Sequence, residues 1–259
     1  MKVVLLAGGF GTRITEESHL KPKPMIEIGG MPILWHIMKS YSAYGYNEFI
    51  ICCGYKQYVI KDFFNECFIR NSDITFDFTD KANKIKVHKN FTEKWRVTVV
   101  DTGLNTMTGG RIKRIKPYLD GEPFMMTYGD GVSDIDLNAL EAFHRSHGKL
   151  ATMTVVNASQ RFGVINMTPG GQITSFREKK NIDGIPINGG YMVLDPRVLD
   201  YIDGDSTIFE KEPLERLVGD GQLMAYRHDG FWQCMDTMRD KEELELIWNS
   251  GKAPWKKWD

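Results

Sequence analysis

The chain has 259 residues, enough to bury a core without disulfide staples, and 42% hydrophobic against 26% charged residues excludes a chain disordered throughout. Lys plus Arg (33) and Asp plus Glu (34) leave a net charge of −1, which argues against a nucleic-acid coat or a polybasic membrane anchor. No apolar run approaches the roughly 18 residues that a membrane helix needs.

The first element is Lys2–Ala7, a short run of β-branched and Leu residues that ends in glycines. It is too short for the apolar region of a signal peptide and reads as a buried strand. Ile33, Leu34, Ile37, Met38 and Tyr41 then share one helical face behind Pro32. Phe49–Cys53 is a second buried strand and Gln57–Phe64 a helix, the strand–helix–strand order of a parallel sheet with crossovers. Ile74–Phe78 and Lys84–Lys89 alternate as a hairpin would, and Arg96–Asp101 reads as a strand. Further strands are expected at Phe124–Thr127, Leu150–Val156 and Gly190–Leu194, with a pair at Gly163–Asn166 and Gln172–Phe176. Leu137–His147 and Arg239–Ser250 read as helices, the second stopped by Gly251. No linker or repeat interrupts the chain, so 1–259 is expected to form one α/β domain with additional β elements in its C-terminal half. The cysteines, Cys52, Cys53, Cys67 and Cys234, lack metal-binding spacing, and reduced thiols in the cytoplasm are expected.

The densest chemical signal follows the first strand: Gly8-Gly9-Phe10-Gly11-Thr12-Arg13, then Lys21-Pro22-Lys23-Pro24-Met25. Glycines after a strand let backbone N–H groups approach an anion that side chains would hold off, and Arg13 and Lys23 add charge that fits phosphate. The spacing matches neither the Walker A loop nor the dinucleotide fingerprint, since residue 14 is Ile14 rather than a third glycine. Asp130 sits between Gly129 and Gly131 after a strand, and Asp236 in a late aromatic-rich segment. From spacing alone each aspartate reads more readily as a turn or cap residue than as a metal ligand.

These motifs resemble the signature of the sugar-1-phosphate nucleotidylyltransferases. Met107-Thr108-Gly109-Gly110-Arg111, Tyr128-Gly129-Asp130-Gly131, Asn188-Gly189-Gly190 and Met235-Asp236-Thr237 extend the resemblance through most of the chain. They are most similar to the cytidylyltransferase branch, which makes CDP-glucose and pyrophosphate from CTP and glucose 1-phosphate. The resemblance implies a Rossmann-like nucleotidyltransferase fold: a mainly parallel central sheet flanked by helices.

The resemblance also implies roles. Lys23, Arg13 and Asp130 would be catalytic, with Asp130 and Asp236 holding Mg²⁺. The nucleotide would lie against Leu6, Ala7, Gly8, Gly9, Gly11, Thr12, Arg13, Lys23, Thr106 and Gly129, with Arg111 donating to the cytosine O2. Arg111 with Lys113 and Arg114 reads equally as an exposed helix face. Glu178, Lys179, Asn188 and Gly189 would bind the sugar phosphate. The family's Glu-Lys-Pro is Glu178-Lys179-Lys180 here, which leaves the exact sugar open. Another nucleotide (dTTP or UTP), another sugar phosphate, or a catalytically idle nucleotide-binding subunit are the competing readings. The branch further implies a homo-oligomer, hexameric in known members, and a place in bacterial dideoxysugar and O-antigen synthesis. His144 and His147, though three apart, read as structural. The tail aromatics Trp255 and Trp258 suggest a subunit contact.

Overall fold

The computed structural model describes the chain except residues 13, 15, 16, 18, 80–83, 91, 158–163, 168–172, 178–185 and 259, and describes only the backbone of 164–167 and 173–177. In chain order the strands are β1 (Val3–Ala7), β2 (Glu27–Ile28), β3 (Met31–Pro32), β4 (Glu48–Cys53), β5 (Ser72–Asp77), β6 (Lys84–Asn90), β7 (Arg96–Asp101) and β8 (Phe124–Tyr128). They continue as β9 (Gly131–Ser133), β10 (Ala151–Asn157), β11 (Val164–Met167), β12 (Ile173–Arg177), β13 (Pro186–Leu194), β14 (Leu223–His228) and β15 (Trp232–Cys234). The α-helices are α1 (Ile33–Ala43), α2 (Gln57–Arg70), α3 (Thr108–Arg114), α4 (Leu137–His147), α5 (Glu212–Gly219) and α6 (Met238–Asn249).

Seven strands form the central sheet in the order β14-β10-β13-β8-β1-β4-β7. The β8–β1–β4–β7 half is parallel throughout, and β14 runs parallel to β10. β13 is antiparallel to both β8 and β10. The sheet is covered on both faces, which explains why β1 is an unbroken apolar run. Val3, Leu5 and Ala7 face one core, shared with Ile37 and Met38 of α1. Val4 and Leu6 face the other, with Ile112 of α3 and Leu217 of α5. Filling both layers contributes about 1.5–3 kcal/mol per buried Val or Leu side chain.

The expected elements are present, with differences at their ends. Helix α2 runs to Arg70, six residues beyond the apolar period, through a stretch in which only Ile60 is fully buried. Pro32 lies one residue before the first helical position of α1 rather than in its first turn. The aromatic tail does not stay exposed: Trp255 is fully buried, between Phe231, Trp248 and His36. The reason for reading those rings as a subunit contact therefore falls away, because the tail packs on its own chain. Among the described residues, no helix is long and apolar enough to cross a membrane.

The topology locates one edge of the sheet as a natural site. From β1 the chain moves outward through β4 and β7, then returns to place β8 on the other side of β1. Ligands of open α/β sheets bind at such a switch point, outside the carboxyl ends of the strands. Here those ends are Ala7-Gly8 and Tyr128-Gly129.

Candidate active site

Lys23 lies at the switch point, on a one-turn 3₁₀ helix (Lys23–Met25) that follows the extended Pro22. Its Nζ donates to Asp130 Oδ2 at 2.6 Å and to Asp236 Oδ1 at 2.6 Å. Each partner arrives by a local device. Asp130 stands in the turn between β8 and β9. Asp236 follows β15, which pairs antiparallel with β9 so that Cys234 faces Gly131. The Met235 N–H then donates to Asp130 O at 2.8 Å, which fixes the two aspartates side by side. Directly after Asp236, Thr237 and Asp240 form a capping box that starts α6.

Gly129 explains how the Lys23 segment comes this close. A Cβ there would lie 2.9 Å from Pro24 Cγ and 3.0 Å from Leu6 O. Burial alone would pull the Lys23 ammonium down. Asp130 and Asp236 outweigh it and hold the pKa above the usual lysine value, so the Lys23 ammonium stays charged throughout the physiological range.

The glycine loop leaves β1 beside this cluster. Gly9 has open space where a side chain would project. Gly11 adopts φ +68°, a conformation glycine takes without strain. Gly8 is bare for a different reason: a Cβ there would lie 2.2 Å from Nη1 of Arg111. Ala7 is buried, Thr12 exposed, and Arg13 lies outside the described residues. The following segment is tied to α6 by an ion pair between Glu17 and Lys241.

Arg111 is only 5% exposed, so it is no part of an exposed helix face. Its guanidinium is engaged by its own chain. Nη1 donates to Cys53 O (3.0 Å), Thr102 Oγ1 (2.8 Å) and Gly103 O (2.8 Å), and Nη2 to Gly8 O (3.1 Å) and Leu104 O (3.3 Å). One side chain thus joins the ends of β1, β4 and β7. In this conformation its N–H groups make these five hydrogen bonds to carbonyl and hydroxyl oxygens of its own chain. Thr106 is buried nearby, packed against the glycines at 103 and 110.

On the other side of β8, Asn188 and Gly189 lie on β13 at the same edge of the sheet. Asn188 Oδ1 accepts the Gly190 N–H at 2.8 Å, and Gly189 O accepts Trp232 Nε1–H at 2.7 Å. A Cβ at Gly189 would lie 2.9 Å from Val156 Cγ1. Glu178 and Lys179 lie outside the described residues. The structure therefore brings Lys23, Asp130, Asp236, the glycine loop, Gly129 and Asn188 to one strand-end edge.

A family model described as nucleotidyl transferase matches residues 2–240. The chain belongs to the nucleotidyl transferase family. It is 55% identical over 260 residues to a glucose-1-phosphate cytidylyltransferase of Salmonella typhimurium, covering 100% of both chains. It is 43% identical over 259 residues to a probable glucose-1-phosphate cytidylyltransferase of Bacillus subtilis, again covering 100% of both. Among solved structures, HddC of Yersinia pseudotuberculosis superposes with a TM-score of 0.68 at 22% identity, over 95% of this chain and 99% of that one. That likeness bears on the fold.

Members of this nucleotidyl transferase family typically use a divalent metal. Asp130 and Asp236 fit one, since Mg²⁺ favours one or two carboxylates with phosphate oxygens and waters. Their oxygens already converge on a single cationic point, the Lys23 ammonium. Among the described residues no group of three or more His, Cys, Asp or Glu forms a metal cluster.

Two parts of the site escaped the sequence reading. Gly54, Thr102 and Gly103 build the cage around Arg111, and a Cβ at Gly54 would lie 2.6 Å from Nη1. Only the Gly54 that closes β4 and the Thr-Gly after β7 hinted at it. Glu210, in a segment with no periodic signal, accepts from Tyr128 Oη (2.5 Å) and Thr108 Oγ1 (2.5 Å). Cys234 lies two residues before Asp236, its Sγ 3.7 Å from Asp236 Oδ2, and burial, then Asp236 and Asp130, push its thiol up to about 12. It is a poor nucleophile there.

Proposed function

We propose that this nucleotidyl transferase moves the cytidylyl group of CTP to glucose 1-phosphate, giving CDP-glucose and pyrophosphate. A phosphate oxygen of the sugar phosphate attacks the α-phosphorus. The new P–O bond forms as the bond to the β-phosphate's bridging oxygen breaks, and pyrophosphate carries that electron pair away. The observation that carries the reading is the convergence of Lys23, Asp130 and Asp236 at the switch point, in a chain 55% identical to a glucose-1-phosphate cytidylyltransferase along its whole length.

Both reactants are anions, so charge neutralisation and positioning are the main requirements, and a covalent nucleophile is unnecessary. Asp130 and Asp236 would hold Mg²⁺. Bound there, the ion supplies neutralisation of phosphate charge. Lys23 and Arg13 place further positive charge against the phosphates. Leu6, Ala7, Gly8, Gly9, Gly11, Thr12, Thr106 and Gly129 line the nucleotide side. Arg111 shapes that side by holding the carbonyls of Gly8, Cys53 and Gly103 in place. Asn188, Gly189, Glu178 and Lys179 are assigned to the sugar phosphate. An intact Lys23–Asp130–Asp236 cluster argues against an idle nucleotide-binding subunit.

We keep a cytoplasmic, homo-oligomeric enzyme, hexameric as in known members, in the proposal. The β5–β6 hairpin supports the assembly, since Phe76, Phe78 and Ile85 are exposed by 47%, 74% and 64%.

The test is pyrophosphate release with glucose 1-phosphate and Mg²⁺, run separately with CTP, UTP, dTTP, ATP and GTP. Release with CTP should exceed the others by at least about tenfold, well within what a pocket that hydrogen-bonds its base can reach. Equal or faster release with another nucleotide would overturn the base assignment. Silence with all five, but release with a different sugar 1-phosphate, would overturn the sugar.

A further inference from the structure

We propose that Trp232 is a positioning residue for the sugar phosphate: its indole N–H holds the peptide between Gly189 and Gly190 in the orientation that lets Asn188 turn its Nδ2 donors to the ligand. The inference rests on the assignment of Asn188 and Gly189 to the sugar side. Strand β13 is irregular at this point. Val155 of β10 faces Asn188, yet Met153 faces Met192, so Gly189, Gly190 and Tyr191 stand opposite Thr154 alone. Such a bulge disrupts the ladder and re-aims the side chains beside it, and bulges gather next to active sites. Glycine permits it here: Gly190 takes φ +80°, and a Cβ there would lie 2.7 Å from the Tyr128 ring.

Two side chains grip the bulge. Trp232 Nε1–H donates to Gly189 O at 2.7 Å, and the Gly190 N–H donates to Asn188 Oδ1 at 2.8 Å. That oxygen and that N–H belong to one planar peptide, so the two bonds are linked. Turning the plane away from Trp232 carries the N–H away from Asn188. The polarity also settles the amide: a backbone N–H needs an acceptor, so Oδ1 faces Gly190 and Nδ2 is turned from it. Nδ2 carries donors only, which suit the lone pairs of a sugar hydroxyl or phosphate oxygen. The indole is half-buried against the core, and packing of the ring fixes the point from which its N–H reaches. Trp232 belongs to β15, whose pairing with β9 also brings Asp236 to Asp130. One short strand thus ties the sugar side to the two aspartates.

Wild type is first screened against nucleotides and sugar 1-phosphates to fix the productive pair. With that pair, Trp232→Phe, which removes the N–H and keeps an aromatic ring, should raise KM for the sugar phosphate about fivefold, the worth of one hydrogen bond, and leave KM for the nucleotide within about twofold. Replacing the Trp232 indole by benzothiophene keeps the shape of the ring and removes only the N–H. It should give the same rise, and it decides the matter where Trp232→Phe does not fold. Adding Trp232→Phe to Asn188→Ala should cost little more than Asn188→Ala alone, since the one residue acts through the other. Equal rises in both KM values would mark Trp232 as a general structural support and overturn the proposal, as would full additivity with Asn188→Ala. A raised sugar-phosphate KM in Asn188→Ala beside an unchanged one in the Trp232 variants would overturn it and leave the sugar assignment standing. An unchanged sugar-phosphate KM in Asn188→Ala would overturn the sugar assignment itself, and the proposal with it.

Discussion

Arg111 shows how one side chain can carry the geometry of a site without reaching into it. A guanidinium is planar and never neutral at physiological pH, so burying it demands several fixed acceptors. Here those acceptors are strand-end oxygens, and the glycines at 8 and 54 leave room for it. Arg111→Ala would take a donor from three carbonyls where β1, β4 and β7 meet; Cys53 O keeps Thr102 and Gly8 O keeps the Tyr55 N–H, so Gly103 O is the one left short. An unsatisfied group costs about 1–3 kcal/mol, so a loss of that order is expected. Urea unfolding measures it directly: the midpoint should fall steeply, and turnover should fall for every nucleotide alike. An unchanged midpoint with a relaxed preference for CTP would return Arg111 to direct base reading. The sequence exposed the residue type and its neighbours but not this role. Three basic residues in four positions look alike until the burial of each is known, and only Arg111 of the three lies inside.

At the scale of elements, the parallel half of the sheet was legible because its strands are apolar on both faces. β1 and β4 read as unbroken runs for that reason. Helix α4 was legible to the residue, Leu137–His147, with Asp136 capping its first turn and Gly148 in the left-handed conformation ending it. Less legible were α5 and β14, and the short β9 and β15, which are held by tertiary pairing. Three-residue strands carry too few side chains for a period, yet β9 and β15 bring Asp236 to Asp130.

Helix α4 also carries a pH prediction. His144 Nδ1 and His147 Nε2 share the Thr152 hydroxyl on β10, at 2.9 and 2.7 Å. Burial, then the neighbouring His147, lowers the His144 pKa to about 4. A depressed folded-state pKa means that the unfolded chain binds the proton more readily. Stability is therefore full above the unfolded histidine value of about 6.5 and declines as pH falls towards 4. Thermal unfolding of wild type between pH 7 and 4.5 should show a steeper drop in Tm than His144→Gln, which removes this proton. Parallel curves would show that His144 titrates normally.

Across the whole molecule, one strand-end edge gathers the residues proposed for the reaction. Residues from β1, the Lys23 turn, the β8–β9 turn and the β15–α6 junction meet there, although Lys23 and Asp236 are 213 positions apart. That convergence was beyond reach of spacing arguments, which left each aspartate a plausible cap. The resemblance to a family supplied the roles, and the topology supplies the physical reason for the meeting point. The charge balance is equally economical. Lys23 holds two carboxylates together, and the same two oxygens suit a divalent cation when phosphates arrive.

Asp130, Asp236 and Lys23 are proposed as the reaction centre. The most direct measurement is CTP-dependent pyrophosphate release over a Mg²⁺ titration, for wild type, Asp236→Asn and Lys23→Met, each first checked for cooperative unfolding. Wild type should be silent in chelator and rise with Mg²⁺. Both variants should lose at least about a hundredfold in turnover, as expected when charge stabilisation of the transition state is removed. Asp236→Asn should also need more Mg²⁺ to reach half its maximum. Folded variants that turn over at the wild-type rate, with the same Mg²⁺ dependence, would contradict it.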